Sequence, residues 1–410
     1  MRSNFSTVAV HLASLLNVLP IMTPQTAAGA ESSIGSIKVG SLSVYPELQA
    51  AYVRDSNIAL ESDALRESDT IWYLRPGLRL EGISGVDEFG LSYHGDFARY
   101  GHRTSDNFNG HNVAAKSALA LNVRNHLSLG INYQDSVDGR GTLNLAATPT
   151  PNQWHESSAT GLYAFGADGA RGRIELEAAY YDRRYVNNRS LTTQLDHSRL
   201  DYGGTFFLRL RPTIYATIDL KQSGYGYKDP SSTLDSKDTF ALMGLRWDAT
   251  AITTGNFSIG TQRKRFNAAE NAIGRRDWSG VAWDGSVRWR PISYWEFILY
   301  THRRTYDATG LGDFTVSRKY EIQWNHEWLR HVTSSVIAGR TTDSFANAPV
   351  ASTGGADRED ATHSIGLRLK YDLVHNVSVG AEFYHTVRAS NDINFDYRRD
   401  LLNLFVTGTL

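Results

Sequence analysis

The stretch "GRIELEAAYYDRRY", residues 172–185, divides by parity. Ile174, Leu176, Ala178 and Tyr180 stand at alternate positions, and Arg173, Glu175, Glu177, Ala179, Tyr181 and Arg183 fill the places between them. A side-chain period of two belongs to a β-strand, whose successive residues point to opposite faces. One face of this strand is oily and the other is charged. The same division recurs in "TIYATIDLKQS" (213–223), "SIGLRLKYDL" (364–373) and "VSVGAEFYHTVR" (377–388). From "VYPELQAAYV" (44–53) to the C-terminus there are about eighteen such segments.

The links between segments alternate in length. Short ones are expected at "RN" (124–125), "RP" (211–212), "RP" (290–291) and "VHN" (374–376). Long polar ones are expected at "NIALESDALRES" (57–68), "RGTLNLAATPTPNQ" (140–153), "VNNRSLTTQLD" (186–196), "KDPSSTLDS" (228–236) and "NAPVASTGGADRED" (347–360). Long and short connections segregating to opposite ends mark an all-β, up-and-down antiparallel barrel in an outer membrane, with short periplasmic turns and long extracellular loops. A soluble sandwich or solenoid would alternate as well. Against it, the uncharged faces run for about ten residues at a time, the length of a membrane-crossing strand. Aromatics also gather at strand ends in "IWYL" (71–74), "WRPISYW" (289–295) and "IQWNHEW" (322–328), where interfacial girdles would lie.

That frame accounts for "RPISYWEFILYTHRRTYDATG", residues 290–310. From a turn at Arg290-Pro291, Trp295, Phe297, Leu299 and Thr301 face lipid, and Glu296, Ile298, Tyr300 and His302 face the lumen. Arg303 and Arg304 then reach the outer rim, one outward and one inward.

Composition narrows the class. The chain has no cysteine, which excludes disulfides, thiol catalysis and thiolate metal sites. Its 42 basic residues face 43 acidic ones, a balance that does not favour nucleic acid. With 21 Tyr, 16 Phe, 9 Trp and 35 Gly it suits strands, girdles and turns. No window after the N-terminus approaches the ~20 apolar residues of a membrane helix. Residues 1–30, with the apolar run "TVAVHLASLLNVLPIM" before Ala28-Gly29-Ala30, are expected to be a secretory signal peptide. Residues 31–43 are expected to form a short periplasmic segment and 44–410 the barrel. The destination is the outer membrane of a Gram-negative bacterium.

Basic residues recur where upward strands end, in "FARYGHR", "YYDRRYVNN", "TQRKRFN", "YTHRRTYD" and "FYHTVRAS". By alternation Arg99, Arg184, Arg263, Arg265 and Arg303 face outward, toward lipopolysaccharide phosphates, or serve only as interfacial anchors. Arg183, Lys264, Arg304 and Arg388 face inward. Deeper in the lumen Arg75, Arg79, Arg209, Lys221, Arg288, Lys319, Arg368 and Lys370 mix with Glu81, Glu175, Glu177, Asp201, Asp219, Asp284, Glu296, Glu321 and Glu382. Ionisable groups at membrane depth must be paired or wet, so they imply a water-filled channel or an internal salt-bridge lattice. Tyr73, Tyr100, Tyr181, Tyr215, Tyr300 and Tyr384 share that face. Rings among hydrogen-bonding charges suit a sliding sugar chain, and they equally fill a barrel. No G-x-S-x-G, H-E-x-x-H, phosphate loop or calcium loop is present. A rim hydrolase would need a His such as His94, His302 or His385, but no partner for one is defined, and neither enzymatic activity nor a cofactor is expected.

The opening segments "VYPELQAAYVRDSNIAL", "YLRPGLRLEG" and "FGLSYHGDFARY" carry a resemblance. Tyr52, Asp55, Ser56, Asn57 and Ile58 match a "Y-x-x-D-S-N-I" signature, and Pro76-Gly77-Leu78 matches a second-strand "P-G-L". On these the chain resembles the β-barrel porin 2 family, outer-membrane barrels of exopolysaccharide loci. The resemblance implies passage of a secreted polysaccharide, with the barrel-insertion machinery and periplasmic polysaccharide-export proteins as partners. A small-solute diffusion porin and a plugged structural or adhesion barrel are the alternatives. One departure is the ending "NLFVTGTL": Leu410 stands where such barrels usually carry an aromatic, which weakens the expected insertion signal, although Leu402, Leu404, Val406 and Leu410 share the lipid face.

Overall fold

The computed structural model describes residues 36–142, 148–167, 169–248, 252–267, 275–307, 310, 312–350 and 353–410. The expected signal peptide lies outside the described residues. A short strand β1 (Ile37–Val39) turns back through Gly40, at φ +63°, and pairs with the start of β2 (Leu42–Asp55). There follow β3 (Asp69–Ser84), β4 (Asp87–Tyr100), β5 (Phe108–Asn122), β6 (Asn125–Val137), β7 (Gln153–Phe165), β8 (Gly172–Tyr185) and β9 (His197–Arg211). The second half holds β10 (Ile214–Tyr227), β11 (Ser236–Trp247), β12 (Thr253–Phe266), β13 (Trp278–Ile292), β14 (Trp295–Asp307), β15 (Phe314–Leu329), β16 (Val332–Pro349), β17 (Asp357–Val374), β18 (Val377–Ser390) and β19 (Tyr397–Thr409). Each strand from β2 onward pairs antiparallel with the next, and β19 pairs with β2 from Leu401↔Asp55 to Thr409↔Glu47, closing an 18-strand barrel. Closure leaves no sheet edge, the condition for a sheet to span lipid.

The molecule is oily outside and charged inside. Lipid-side positions carry Trp72 (61% exposed), Leu176 (52%), Met243 (69%) and Leu367 (51%), whereas lumen-side Lys264 and Asp55 are 0% and 1% exposed. An apolar exterior over a polar interior is stable only in hydrocarbon. Trp289, Phe297, Trp324, Trp295 and His326 stack edge-to-face and face-to-face at the periplasmic end, with ring centroids 5.3–6.4 Å apart. They form one arc of an interfacial girdle.

The turns shift some sequence-stated boundaries. Residues Arg290-Pro291 do not make the β13–β14 turn; they lie within β13, and Ser293-Tyr294 make it. The β13–β14 register shifts between Trp289 and Ile292, so Pro291, which has no N–H to donate, sits in an irregularity of the ladder. Pro76 in β3 is accommodated without a register shift, the ladder to β4 passing from Leu74↔Phe97 to Gly77↔His94 with two residues left unpaired on each strand. Half of the polar stretch 347–360 is strand, since β16 continues to Pro349 and β17 begins at Asp357. On the extracellular side the 186–196 loop winds into a single turn, α1 (Arg189–Thr192), tied down by Arg189 Nη2 on Asp196 Oδ2 at 2.7 Å.

Candidate functional site

Alternation carries the inner-face side chains into the lumen, and the cross-strand register decides which of them meet. The lumen candidates form a lattice of opposite charges. Arg75 Nε lies 2.8 Å from Asp96 and its Nη1 donates to Gln49 at 3.1 Å. Arg79 pairs with Glu81 at 3.2 Å, Lys319 with Glu321 at 2.9 Å and Arg368 with Glu382 at 2.6 Å. Lys370 pairs with Asp372 at 2.9 Å, and Arg288 and Arg290 converge on Glu296 at 3.2 and 2.6 Å. Arg173 meets Glu175 at 2.7 Å, while Asp219 accepts from Thr205 Oγ1 at 2.7 Å. Arg209 donates to the Gly169 carbonyl.

Glycines on intervening strands let side chains two strands apart touch. Lys221 on β10 reaches Glu177 on β8, 2.7 Å away, over Gly203, which is the register partner of both. A Cβ at Gly203 would lie 2.6 Å from the Leu220 carbonyl oxygen and 2.9 Å from Lys221 Cα. On β17, Gly366 is roofed by the ring of its cross-strand partner Tyr384. Tyr215 packs edge-on against Phe207, centroids 6.5 Å apart.

Exposure falls from the periplasmic to the extracellular end. The Arg79 side chain is 41% exposed and that of Lys370 38%, but the inward rim set is closed in. Lys264 (0%) lies 3.0 Å from Asp307 and 3.6 Å from Asp238, and donates to Ser236 Oγ at 2.9 Å. Arg183 pairs with Glu156 at 2.9 Å and lies 4.0 Å over the Trp154 ring, whose Nε1 donates to Asp138 at 2.9 Å. Arg304 Nη2 donates to the Tyr300 hydroxyl at 3.0 Å and lies 3.7 Å from Asp284. His302 sits between the hydroxyls of Tyr300 and Tyr306, 3.2 Å from each. Arg388 Nε donates to the Phe395 carbonyl at 2.6 Å and stands 3.8 Å from Asp360.

Beside these rim residues the wall itself is unusual. The β13–β14 ladder ends at Trp283↔Arg303, so the last residues of β14 have no backbone partner on β13. Gln262 of β12, 0% exposed, reaches across: its Oε1 accepts from Thr305 N at 2.9 Å and its Nε2 donates to Thr305 Oγ1. A buried amide that would otherwise be orphaned is satisfied by a side chain.

Several members of the lattice escaped the sequence reading. Arg199, paired with Asp201 at 3.1 Å and 4.2 Å over Tyr181, follows the same parity that placed Asp201 inside. Glu156, Asp238 and Asp307 complete pairs whose basic partners were identified. Arg99, Arg184, Arg263, Arg265 and Arg303 all lie on the lipid-facing side. His94 and His302 face inward, while His385 faces outward, 2.6 Å from Asp400.

The signature "Y-x-x-D-S-N-I" occupies the seam where the barrel closes. Asp55, 1% exposed, holds Arg399 of β19 through Nε at 3.0 Å and accepts from Asn57 N at 2.9 Å. Asn57, 0% exposed, donates to the carbonyls of Glu61 at 2.7 Å and Arg398 at 3.0 Å and accepts from Glu61 N at 3.0 Å. Ser56 exchanges bonds with Asp400, through its N on Asp400 O at 2.9 Å and its Oγ under Asp400 N at 2.7 Å. Three consecutive residues at the end of the first barrel strand thereby weld it to the last.

Among solved structures, the fold is similar to the outer membrane protein opdK from Pseudomonas aeruginosa, with TM-score 0.50 and 14% identity, covering 90% of this chain and 98% of that one. It is similar to OccK2 (OpdF) of the same organism, at TM-score 0.50 and 13% identity over 92% of this chain and 99% of that one. OpdO of Pseudomonas aeruginosa gives TM-score 0.50 and 15% identity, covering 90% and 97%. At such identities the likeness is one of fold. No curated protein matches the chain in sequence. The family model described as putative beta-barrel porin 2 matches residues 33–409, almost the whole length, and with the closed barrel and charged lumen this places the chain in that family, as a porin-like channel of the Gram-negative outer membrane.

Proposed function

We propose that this barrel is a passive conduit through which a secreted exopolysaccharide crosses the outer membrane. The observation that carries the reading is the lining: charge pairs with aromatic rings beside them at several heights. Arg79 lies 4.4 Å over Tyr45, Arg75 4.2 Å over Tyr73, Arg199 4.2 Å over Tyr181 and Arg388 4.4 Å over Tyr397. A glycan offers C–H faces that lie on rings and hydroxyls that trade hydrogen bonds with guanidinium and carboxylate groups. Paired charges supply those bonds without a strong net field. The polymer would thus move between similar sites rather than stick at one of them. The driving force would come from synthesis and from periplasmic export proteins, with no covalent chemistry in the barrel.

At the extracellular end Lys264, His302 and Arg304 are held by their own counter-ions and hydroxyls, so the rim charges are paired as well. Single-channel conductance of the purified protein in a planar bilayer, with sugar oligomers of differing charge added to the periplasmic side, tests the proposal. Openings that appear with oligomers, or current that they block in a sugar-specific way, are expected. Steady current indifferent to sugars would favour a small-solute porin. Silence that persists with every oligomer would favour a plugged structural or adhesion barrel.

A further inference from the structure

The outer surface of the wall carries two like-charged pairs with no internal counter-ion. Arg303 on β14 is the register partner of Arg318 on β15, and Lys237 on β11 is the register partner of Arg265 on β12. Arg263 lies two residues from Arg265 on the same face, opposite Thr239 and Ser279. Like charges directly opposed across strands repel and destabilise a sheet unless an anion lies between them. Among the described residues no carboxylate pairs with Lys237, Arg263, Arg265, Arg303 or Arg318. The nearby loop carboxylates Asp235 and Asp277 accept from the backbone amides of Tyr227 and Phe266, at 2.7 and 3.1 Å. The guanidinium groups of Arg303 and Arg318 lie 5.5 and 6.0 Å over Trp278 and Trp283, which holds them along the wall.

Arg303 also donates through Nη1 to the Val281 carbonyl, and the other outward rim arginines differ in facing Trp72 (Arg99) and His155 (Arg184) across the ladder, not a second arginine or lysine. Arg99 is satisfied by the carbonyls of Ala98 and Phe108 and by Asn109, at 2.8, 3.0 and 2.8 Å, and Arg184 lies 3.5 Å from Asp182. Directly opposed like charges on the outer face thus lie in the arc β11–β15. Its depth is defined by the girdle below it. From Trp295 to Arg303 the chain climbs about 27 Å along β14 at ~3.4 Å per residue. With a tilt of about 40° that is roughly 21 Å along the membrane normal, near the ~25 Å apolar band of such barrels. The patch stands at the level of the outer-leaflet headgroups.

We infer that this arc is a binding site for the phosphate groups of an outer-leaflet glycolipid, each like-charged pair closing on one phosphate with its oxygens accepting from both side chains. The site is separate from the lumen and does not depend on what the lumen carries. The test is thermal unfolding of the whole barrel in neutral detergent micelles, titrated with lipid A, with lipid A stripped of its phosphates, or with inorganic phosphate. Lipid A is expected to stabilise the native protein, and the other two are not. The double variant Arg303→Gln/Arg318→Gln should need at least about tenfold more lipid A for the same shift, while Arg184→Gln behaves like the native protein. Without lipid the double variant should unfold no earlier than the native protein, because repulsion is relieved. If it fails to fold, Lys237→Gln/Arg265→Gln is the equivalent test on the other pair. Equal stabilisation by dephosphorylated lipid or by inorganic phosphate, an unchanged titration in the double variants, or the same loss in Arg184→Gln would each overturn the inference.

Discussion

Lys264 shows how a charge survives inside this wall. It is fully buried, between Asp238 and Asp307, so its burial is compensated by two carboxylates and a hydroxyl. Lys264→Met removes the cation and leaves two buried carboxylates facing each other. A loss of about 3–5 kcal/mol is expected from an uncompensated buried charge, read as an earlier unfolding midpoint in denaturant titration of the detergent-solubilised barrel. Additional removal of a carboxylate by Asp307→Asn should restore part of it; no recovery would mean that the site is held by packing and not by charge. Asp55 and Asn57 work differently, by satisfying backbone and guanidinium donors at the closing seam. Asn57→Ala abandons the Glu61 amide and two carbonyls, at roughly 1–3 kcal/mol for each orphaned group that water does not reach. The compact, heat-modifiable band on a semi-native gel should be lost at a lower temperature than for the native protein, while Ser68→Ala, at an exposed position of the same loop, should leave it unchanged. The signature was legible in the sequence as a family mark, but its role was not. Its partners Arg398, Arg399 and Asp400 stand more than three hundred residues away, and only closure brings them together.

At the scale of the strand, the period-two pattern was enough to assign faces, because a one-residue slip would exchange lipid and lumen residues along a whole strand. Hence Tyr181, Arg183, Glu296, Tyr300 and Arg368 all lie on the side that parity gave them. Ends were less legible. Arg290-Pro291 reads as a turn because proline lacks a donor, and the bulge that absorbs it leaves no mark in the pattern. The stretch 347–360 reads as loop because its residues are small and polar, yet both strands run on past the membrane into water, where alternation of oil and charge is no longer required. Intervening glycines also define the lattice. Gly203→Val would press a branched side chain against the Leu220 carbonyl and the Lys221 backbone, where even a Cβ is too close. The expected cost is about 1–3 kcal/mol, with loss of the Lys221–Glu177 contact. A double-mutant cycle checks this: Lys221→Met should destabilise the native barrel and do little further harm in the Gly203→Val background. Equal effects in the two backgrounds would show that β9 does not govern the contact.

For the whole molecule, the balance of charge seen in composition reappears as a neutral lattice. Net charge could be read from the sequence and the pairing could not, since each pair depends on register between strands that are distant in the chain. The inward rim arginines are the place to ask whether this lattice meets a polymer. Arg183 on β8 and Arg304 on β14 stand six strands apart around the extracellular mouth, each beside an acid, Glu156 or Asp284. Reversing both with Arg183→Glu and Arg304→Glu turns two neutral pairs into two acidic ones and surrounds the exit with negative charge. A neutral polymer would sense only the altered packing, whereas an acidic polymer would also meet a repulsive field at the exit. Transport of an acidic polymer across proteoliposomes should therefore fall by at least about tenfold relative to that of a neutral one of equal length. Arg183→Gln with Arg304→Gln, which changes the packing but adds no negative charge, should affect the two polymers more nearly alike. If the glutamate variant slows both polymers equally, the rim arginines shape the exit sterically and the electrostatic reading of the mouth is wrong.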